Sequence, residues 1–236
     1  MQVGRVIKIP GMLLILAGVI TACASNLEAE FPQLARTTAG IFLEPDPQLR
    51  ATIEPGMKLR TVNDRGITLT KNSEGFVPKL YIDAANYCTI AYGHLIKLAP
   101  CNGTEPKEFI NGVTEPQGVD ILRTDMTRAE RVVMHLVDVE LSDDQFSALC
   151  DFVFNVGSAN FSQSTLLKVV NAGELARVPG QLRRWRYANG KELEGLAIRR
   201  EQEIDLFFYG QERPRVLLTE EKLSPIDIRV GELPTE

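Results

Sequence analysis

Three side chains in one short stretch have the types and spacing for acid–base chemistry. Glu74 is followed after eight residues by Asp83, and Asp83 after five by Thr89, within EGFVPKLYIDAANYCTIAYGH from Glu74 to His94. Two carboxyls and a positioned hydroxyl suit glycoside hydrolysis: one carboxyl protonates a leaving oxygen and the other, with the hydroxyl, serves a water. Taken alone the spacing is a weak signal, since most acidic side chains are solvated surface. It gains weight from the elements that must carry it. Asp64 to Ser73 reads as a short helix feeding Glu74, with Ile67 and Leu69 apolar, although Gly66 and the threonines are weak helix formers. Tyr81-Ile82-Asp83 leads through Ala84-Ala85-Asn86 into the β-branched and aromatic run Tyr87 to Tyr92, a hairpin pattern. A helix end and a hairpin can bring one carboxyl each to a shared cleft, with Thr89 beside them.

The rest of the chain reads as helices. Residues 96–119 look like a loop, with Pro100, Asn102-Gly103, Pro106, Gly112 and Pro116. Thr127-Arg-Ala-Glu130 and Ser142-Asp-Asp-Gln145 are capping-box patterns. The second opens a run of Phe146, Leu149, Cys150, Val153 and Phe154 at three- and four-residue steps, which predicts a fully buried helix. Ser162 or Ser164 starts a further helix that stops at Gly173. The last helix is expected from about Leu196 to Phe208, with Ile198, Ile204, Leu206 and Phe207 inward and Glu201 and Asp205 on a solvated face. Trp185 among Arg183, Arg184 and Arg186 is read as a packed indole with solvated arginines rather than a sugar-stacking patch.

Composition excludes several classes. Hydrophobic residues make up 44% and charged residues 24% of 236, ordinary values for a globular chain. A net charge of −5 supplies no basic field for nucleic acid. The two histidines, His94 and His135, are far apart in sequence and no Cys/His spacing suggests a metal. Arg5 and Lys8 precede a short apolar run, Gly11 to Ala22, that ends in Ile20-Thr-Ala-Cys23. The run is too short for an ordinary transmembrane helix. Its end resembles a bacterial lipobox, which would place a lipid on Cys23; an ordinary signal peptide and a weakly hydrophobic signal-anchor are the alternatives. In all three the body of the protein is exported. In an oxidising compartment Cys88 and Cys101, flanking a loop, can form a disulfide. Cys150, in an apolar helical run, is expected to be a buried free thiol. The organisation expected is a signal over 1–22, a tether over 23–62, a catalytic domain over 63–210 and an acidic tail over 211–236, loose or wrapped on the surface.

The Glu74-x8-Asp83-x5-Thr89 segment followed by Tyr92-Gly93-His94 resembles the active-site segment of the phage-type lysozymes, glycoside hydrolase family 24. Asp144-Gln-Phe-Ser-Ala-Leu149 leading to Phe154-Asn-Val-Gly157, then Phe161-Ser-Gln-Ser-Thr-Leu-Leu167 and Asn171-Ala-Gly173, resemble its central helices. Trp185-x-Tyr187-Ala-Asn-Gly-Lys191 and Gly195-Leu196-x4-Glu201-x6-Phe208 resemble the end of its domain. The resemblance implies an α+β fold: a mainly helical lysozyme-like domain, a small β-hairpin lobe and a saccharide cleft between lobes. It implies a monomeric muramidase acting without cofactor on the β-1,4 bond between N-acetylmuramic acid and N-acetylglucosamine in peptidoglycan. Its partners would be glycan strands and, through the lipid or signal-anchor, the membrane. Glu74 would be the general acid, Asp83 would stay ionised and direct water, and Thr89 would hold that water. The family also implies an inverting outcome. His94, Leu95, Phe154 and Thr165 match substrate-binding positions. A structural hydrogen bond is the preferred reading of His94, and Phe154 can equally be core. Ala91 stands where the family usually has glycine, so its methyl is expected to crowd the strand. The rival readings are a lytic transglycosylase, which Asp83 and Thr89 argue against, and a non-catalytic wall-binding lipoprotein.

Overall fold

The structure is a computed structural model and describes residues 60–215 and 223–228. The lipobox cysteine Cys23 and the apolar run before it lie outside the described residues. The chain already belongs to the fold at Arg60, whose guanidinium donates to the Leu141 carbonyl and to Asp143. Val62 is buried, and its amide donates to Glu130 Oε1 at 2.8 Å.

Helix α1 (Asp64–Glu74) is capped by Asn63, whose side chain accepts from the Gly66 amide. The weak helix former Gly66 has a packing reason. A methyl there would lie 2.5 Å from Val62 Cγ1 and 2.7 Å from Ser147 Cβ, so glycine lets α1 lie directly on the central helix. Gly66→Ala is expected to lower stability by about 1–3 kcal/mol through overpacking, outweighing the gain of roughly 1 kcal/mol in helix propensity. Denaturant titration checks this, and an unchanged or raised midpoint would contradict it.

A three-stranded antiparallel sheet follows, β1 (Val77–Ile82), β2 (Cys88–Ala91) and β3 (His94–Lys97). The expected hairpin is therefore extended by a strand that begins at His94. Cys88 and Cys101 form a disulfide that ties β2 to the next loop. In that loop Glu105 accepts from the Asn102 and Gly103 amides and pairs with Lys97. Lys97 and those amides hold its carboxyl down to about 2.

The stretch over 96–119, expected to be a loop, is largely ordered secondary structure. It contains the end of β3, the short helix α2 (Lys107–Ile110) and the start of the long helix α3 (Glu115–Leu136). Helix α3 begins three turns before the expected cap at Thr127, whose hydroxyl instead points back at the Arg123 carbonyl in mid-helix. The true cap is Thr114, whose amide and hydroxyl both donate to Gln117 Oε1. Pro116 fits the first turn because no amide is needed there. Gly118 is required by proximity, since a Cβ on it would lie 2.7 Å from the Phe76 ring. Pro116 looks like loop punctuation in the sequence, yet both residues have specific places in the helix.

Helix α4 (Asp143–Val156) is the centre of the larger lobe. Ser142 caps it, accepting from the Gln145 amide while Gln145 Oε1 accepts in return, and every residue from Gln145 to Val156 is buried. Around it pack α1, α3 and α8 (Glu194–Phe207). The short helices α5 (Ser158–Gln163), α6 (Thr165–Asn171, capped by Ser164) and α7 (Val178–Arg183) close one end. Trp185 is buried edge-on against Phe152, with ring centroids 5.4 Å apart. Its neighbouring arginines are engaged rather than merely solvated: Arg183 with Glu201, Arg184 with the Ser224 carbonyl, Arg186 with Glu192.

A second small sheet joins β4 (Tyr187–Ala188), β5 (Lys191–Glu192) and β6 (Asp227–Ile228), with β6 parallel to β4. Residues 223–228 of the tail thus lie on the domain, and Ile228 is buried in its core. In α8 the buried residues are Leu196, Arg199, Arg200, Glu203, Ile204, Leu206 and Phe207, and Ile198 points out, 48% exposed. This corrects the expected inward position of Ile198. Ile204, Leu206 and Phe207 are inward as expected, but three further buried positions, Arg199, Arg200 and Glu203, carry charge, and hydrophobicity alone passes over them. Glu201 and Asp205 both bind Arg213, so that face is an ion-pair cluster rather than a set of free acids.

Candidate active site

Glu74 is the last residue of α1, and Gly75 turns the chain into β1. The side chain points inward and is 3% exposed. Its Oε1 accepts from Arg199 Nη1 at 2.6 Å. Burial raises the carboxyl's proton affinity, and the nearby Arg199 opposes without overturning it.

Asp83 ends the first arm of the sheet and is itself the turn that reverses it. Its Oδ1 accepts from the Ala85 and Tyr87 amides, both at 2.9 Å, and its backbone amide donates to the Tyr87 carbonyl. Its Oδ2 accepts from Thr89 Oγ1 at 3.2 Å. Asp83 and Thr89 therefore meet across the turn, with both side chains buried. Burial pushes Asp83 upward in pKa, against these three donors, each of which favours the anion. Tyr81 lies within the electrostatic reach of both Asp83 and Glu74, and burial followed by those two acids pushes its phenol upward. The sheet and the end of α1 thus converge on one region.

The other expected site residues divide. His94 Nδ1 lies 3.0 and 2.9 Å from the two carboxylate oxygens of Asp125, and its ring packs on Phe109. This is the structural arrangement preferred for it over proton transfer. Leu95 on β3 and Thr165 at the start of α6 are partly exposed. Phe154 is 5% exposed and belongs to the hydrophobic core. Ala91 has φ +58, in the left-handed region, at a cost of roughly 1–2 kcal/mol for a residue with a Cβ. Crowding is not its difficulty: Gly118 opposite leaves room for the methyl. A cavity of about 320 Å³ lined by Arg183, Arg186, Ala197 and Ile198 includes none of Glu74, Asp83 and Thr89. Among the described residues the one cluster with metal-ligand geometry is Cys88, Cys101 and Glu105, and both sulfurs are committed to the disulfide.

Sequence reasoning missed the site's buried charges. Arg199 Nε and Nη2 donate to Asp151 Oδ2 and Oδ1, both at 2.9 Å, and Thr70 Oγ1 donates to Asp151 Oδ1 at 2.7 Å. Arg200 Nη2 donates to Asn155 and Glu203, both at 2.7 Å. The available signal was the pairing of an acid inside the apolar run of α4 with two consecutive arginines on the apolar stripe of α8.

The family model described as phage lysozyme matches residues 71–203. A SAR-endolysin of Bacteriophage PS119 is 35% identical over 141 residues, 59% of this chain and 78% of that one. An endolysin of Bacillus phage B103 is 33% identical over 155 residues, 64% of this chain and 56% of that one. Among solved structures, a P22 lysozyme mutant superposes with a TM-score of 0.55 at 28% identity, covering 63% of this chain and 98% of that one. The muramidase domain of SpmX from Asticaccaulis excentricus gives 0.54 at 28% identity, covering 63% and 97%. The matched segment runs from the last turn of α1 through both carboxyls and the central helix to most of α8, so this chain belongs to the phage lysozyme family and is a lysozyme-type glycosidase.

Proposed function

We propose that the protein is an exported muramidase that cleaves the β-1,4 bond between N-acetylmuramic acid and N-acetylglucosamine, with Glu74 as general acid and Asp83 and Thr89 holding the attacking water. Burial pushes both carboxyls upward, and the observation that carries this is the contrast in their hydrogen bonding. Glu74 is buried with a raised proton affinity, which suits a donor to the glycosidic oxygen. Asp83 accepts three hydrogen bonds, one of them from Thr89 at its second oxygen, which suits an acceptor that directs water. That pair also favours hydrolysis over transglycosylation, which needs no held water.

Digestion of purified peptidoglycan tests the proposal. New reducing ends in proportion to bonds cut, with no anhydro sugar, are the expected result; anhydro ends would mean transglycosylation. Proton NMR of the first product should show the inverted anomer.

Export is proposed from the basic start and apolar run of residues 5–22. Relatives named SAR-endolysin favour the signal-anchor reading of that run over the lipobox reading. Labelling with a palmitate analogue is then expected to mark wild type and Cys23→Ser equally. Label lost only in Cys23→Ser would restore the lipid tether.

A further inference from the structure

Glu74 sits against a guanidinium, and such contact ordinarily turns a carboxyl into the anionic half of a salt bridge. A proton donor cannot work in that state. The structure offers a way out, because Arg199 is not Glu74's alone. It gives its Nε–Nη2 edge to Asp151 in a two-pronged contact and only Nη1 to Glu74. Asp151 is wholly buried in α4, and Thr70 of α1 braces it.

We propose that Asp151 is a positioning residue for the acid: by claiming the fork of Arg199 it neutralises that cation and leaves Glu74 a proton donor. The inference rests on Glu74 being the general acid.

The surrounding charges agree with it. On α8, Arg200 is paired with Glu203 at 2.7 Å, and Glu203 lies 3.8 Å from Arg199. Burial pushes Glu203 up and Arg200 down, and each offsets the other's charge. The Arg200 guanidinium rests on the Phe152 ring and, of the charges acting on Glu74, has the smallest effect. From the sheet, the Tyr81 phenol lies within electrostatic reach of Glu74 and is neutral below alkaline pH, because burial pushes it upward. On α1 itself, Lys71 is committed to Glu115 at 2.9 Å. Asp151 is thus the anion that balances Arg199 while Glu74 stays protonated. It ionises readily, as burial is outweighed by Arg199 and Thr70.

Asp151→Asn tests this. It keeps the shape and removes the charge, so Arg199 is left to pair with Glu74. The rate–pH profile on peptidoglycan is expected to keep its acid-side rate within a few-fold. Its alkaline limb, where the acid loses its proton, should move down by about one pH unit or more. The carbon-13 signal of the Glu74 carboxyl, assigned by its absence in Glu74→Gln, should titrate with the same downward shift. A merely structural role for Asp151 would lower the rate at every pH and leave both midpoints in place, and that result would overturn the proposal. If Asp151→Asn does not fold, Asp151→Ser removes the same charge with a smaller side chain. The wild type also carries a check that needs no variant: Asp151 must ionise before Glu74 as pH rises, and the reverse order overturns the proposal. Activity surviving in Glu74→Gln would refute the acid assignment instead. An inactive Glu74→Gln beside an unmoved Asp151→Asn profile would refute only the role of Asp151.

Discussion

Glu74→Gln is expected to abolish cleavage of peptidoglycan, with a loss of about a thousandfold or more in turnover, the range for removing a positioned acid. The fold should persist, because glutamine reproduces the shape of the protonated side chain and its carbonyl can still accept from Arg199 Nη1. Stability should respond to pH in a diagnostic way. The Glu74 carboxyl is raised in the folded state, chiefly by burial. Above the ordinary carboxylate value the unfolded chain therefore sheds this proton before the folded chain does. Wild-type stability falls across that window as pH rises, and Glu74→Gln has no such loss. The two proteins should melt alike in acid, and the variant should become the more stable of the pair towards neutrality. Thermal melts across pH, beside zymography of both proteins, check the two halves together. Undiminished lysis would mean that the acid has been misassigned. A variant that unfolds at every pH would mean that Glu74 supports the fold as an anion.

The placement of Glu74 at a helix end and of Asp83 and Thr89 about one turn is legible in the sequence because local elements set it. A helix end fixes the first, and a turn built on Asp83's own side chain fixes the other two. Ser142 and Ser164 were legible for the same reason, since capping is a local contact. Arg199, Asp151 and Thr70 were not. Their meeting depends on α8, α4 and α1 packing together, across 48 residues from Arg199 to Asp151 and 125 from Arg199 to Glu74. Nothing in the spacing of one helix announces a partner on another. The long helix α3 was misread from the other direction. Gly112 and Pro116 are loop signals on local grounds, whereas Pro116 sits in the helix's first turn and Gly118 is selected by the Phe76 ring, which only the tertiary fold brings near.

The second large effect is on stability, and it falls on Arg199. Arg199→Met is expected to cost about 3–5 kcal/mol, the range for breaking a buried ion pair from one side. For a domain of this size that is a fall of roughly 10 °C or more in Tm. The reason is the anion left behind: Asp151 would keep the Thr70 hydroxyl and lose both prongs of the guanidinium in a site with no exposure. The pH dependence tells this apart from simple loss of packing. With Arg199 present, the folded Asp151 carboxyl lies below its ordinary value, so its stabilisation is full above that value and lost in acid. Without Arg199, burial is opposed only by the hydrogen bonds from Thr70 and Glu203, and the folded carboxyl is expected to rise above that value. Stability then declines as pH increases, and the deficit against wild type is smallest in acid and largest near neutrality. Denaturant titrations of both proteins, from neutrality to about pH 4, read this directly. Pairing Arg199→Met with Asp151→Leu removes the stranded charge and should recover at least half of the loss, since apolar replacement of a whole buried pair is often neutral. A double variant no better than Arg199→Met would show that the cost lies in the shape of the arginine and not in the charge it answers.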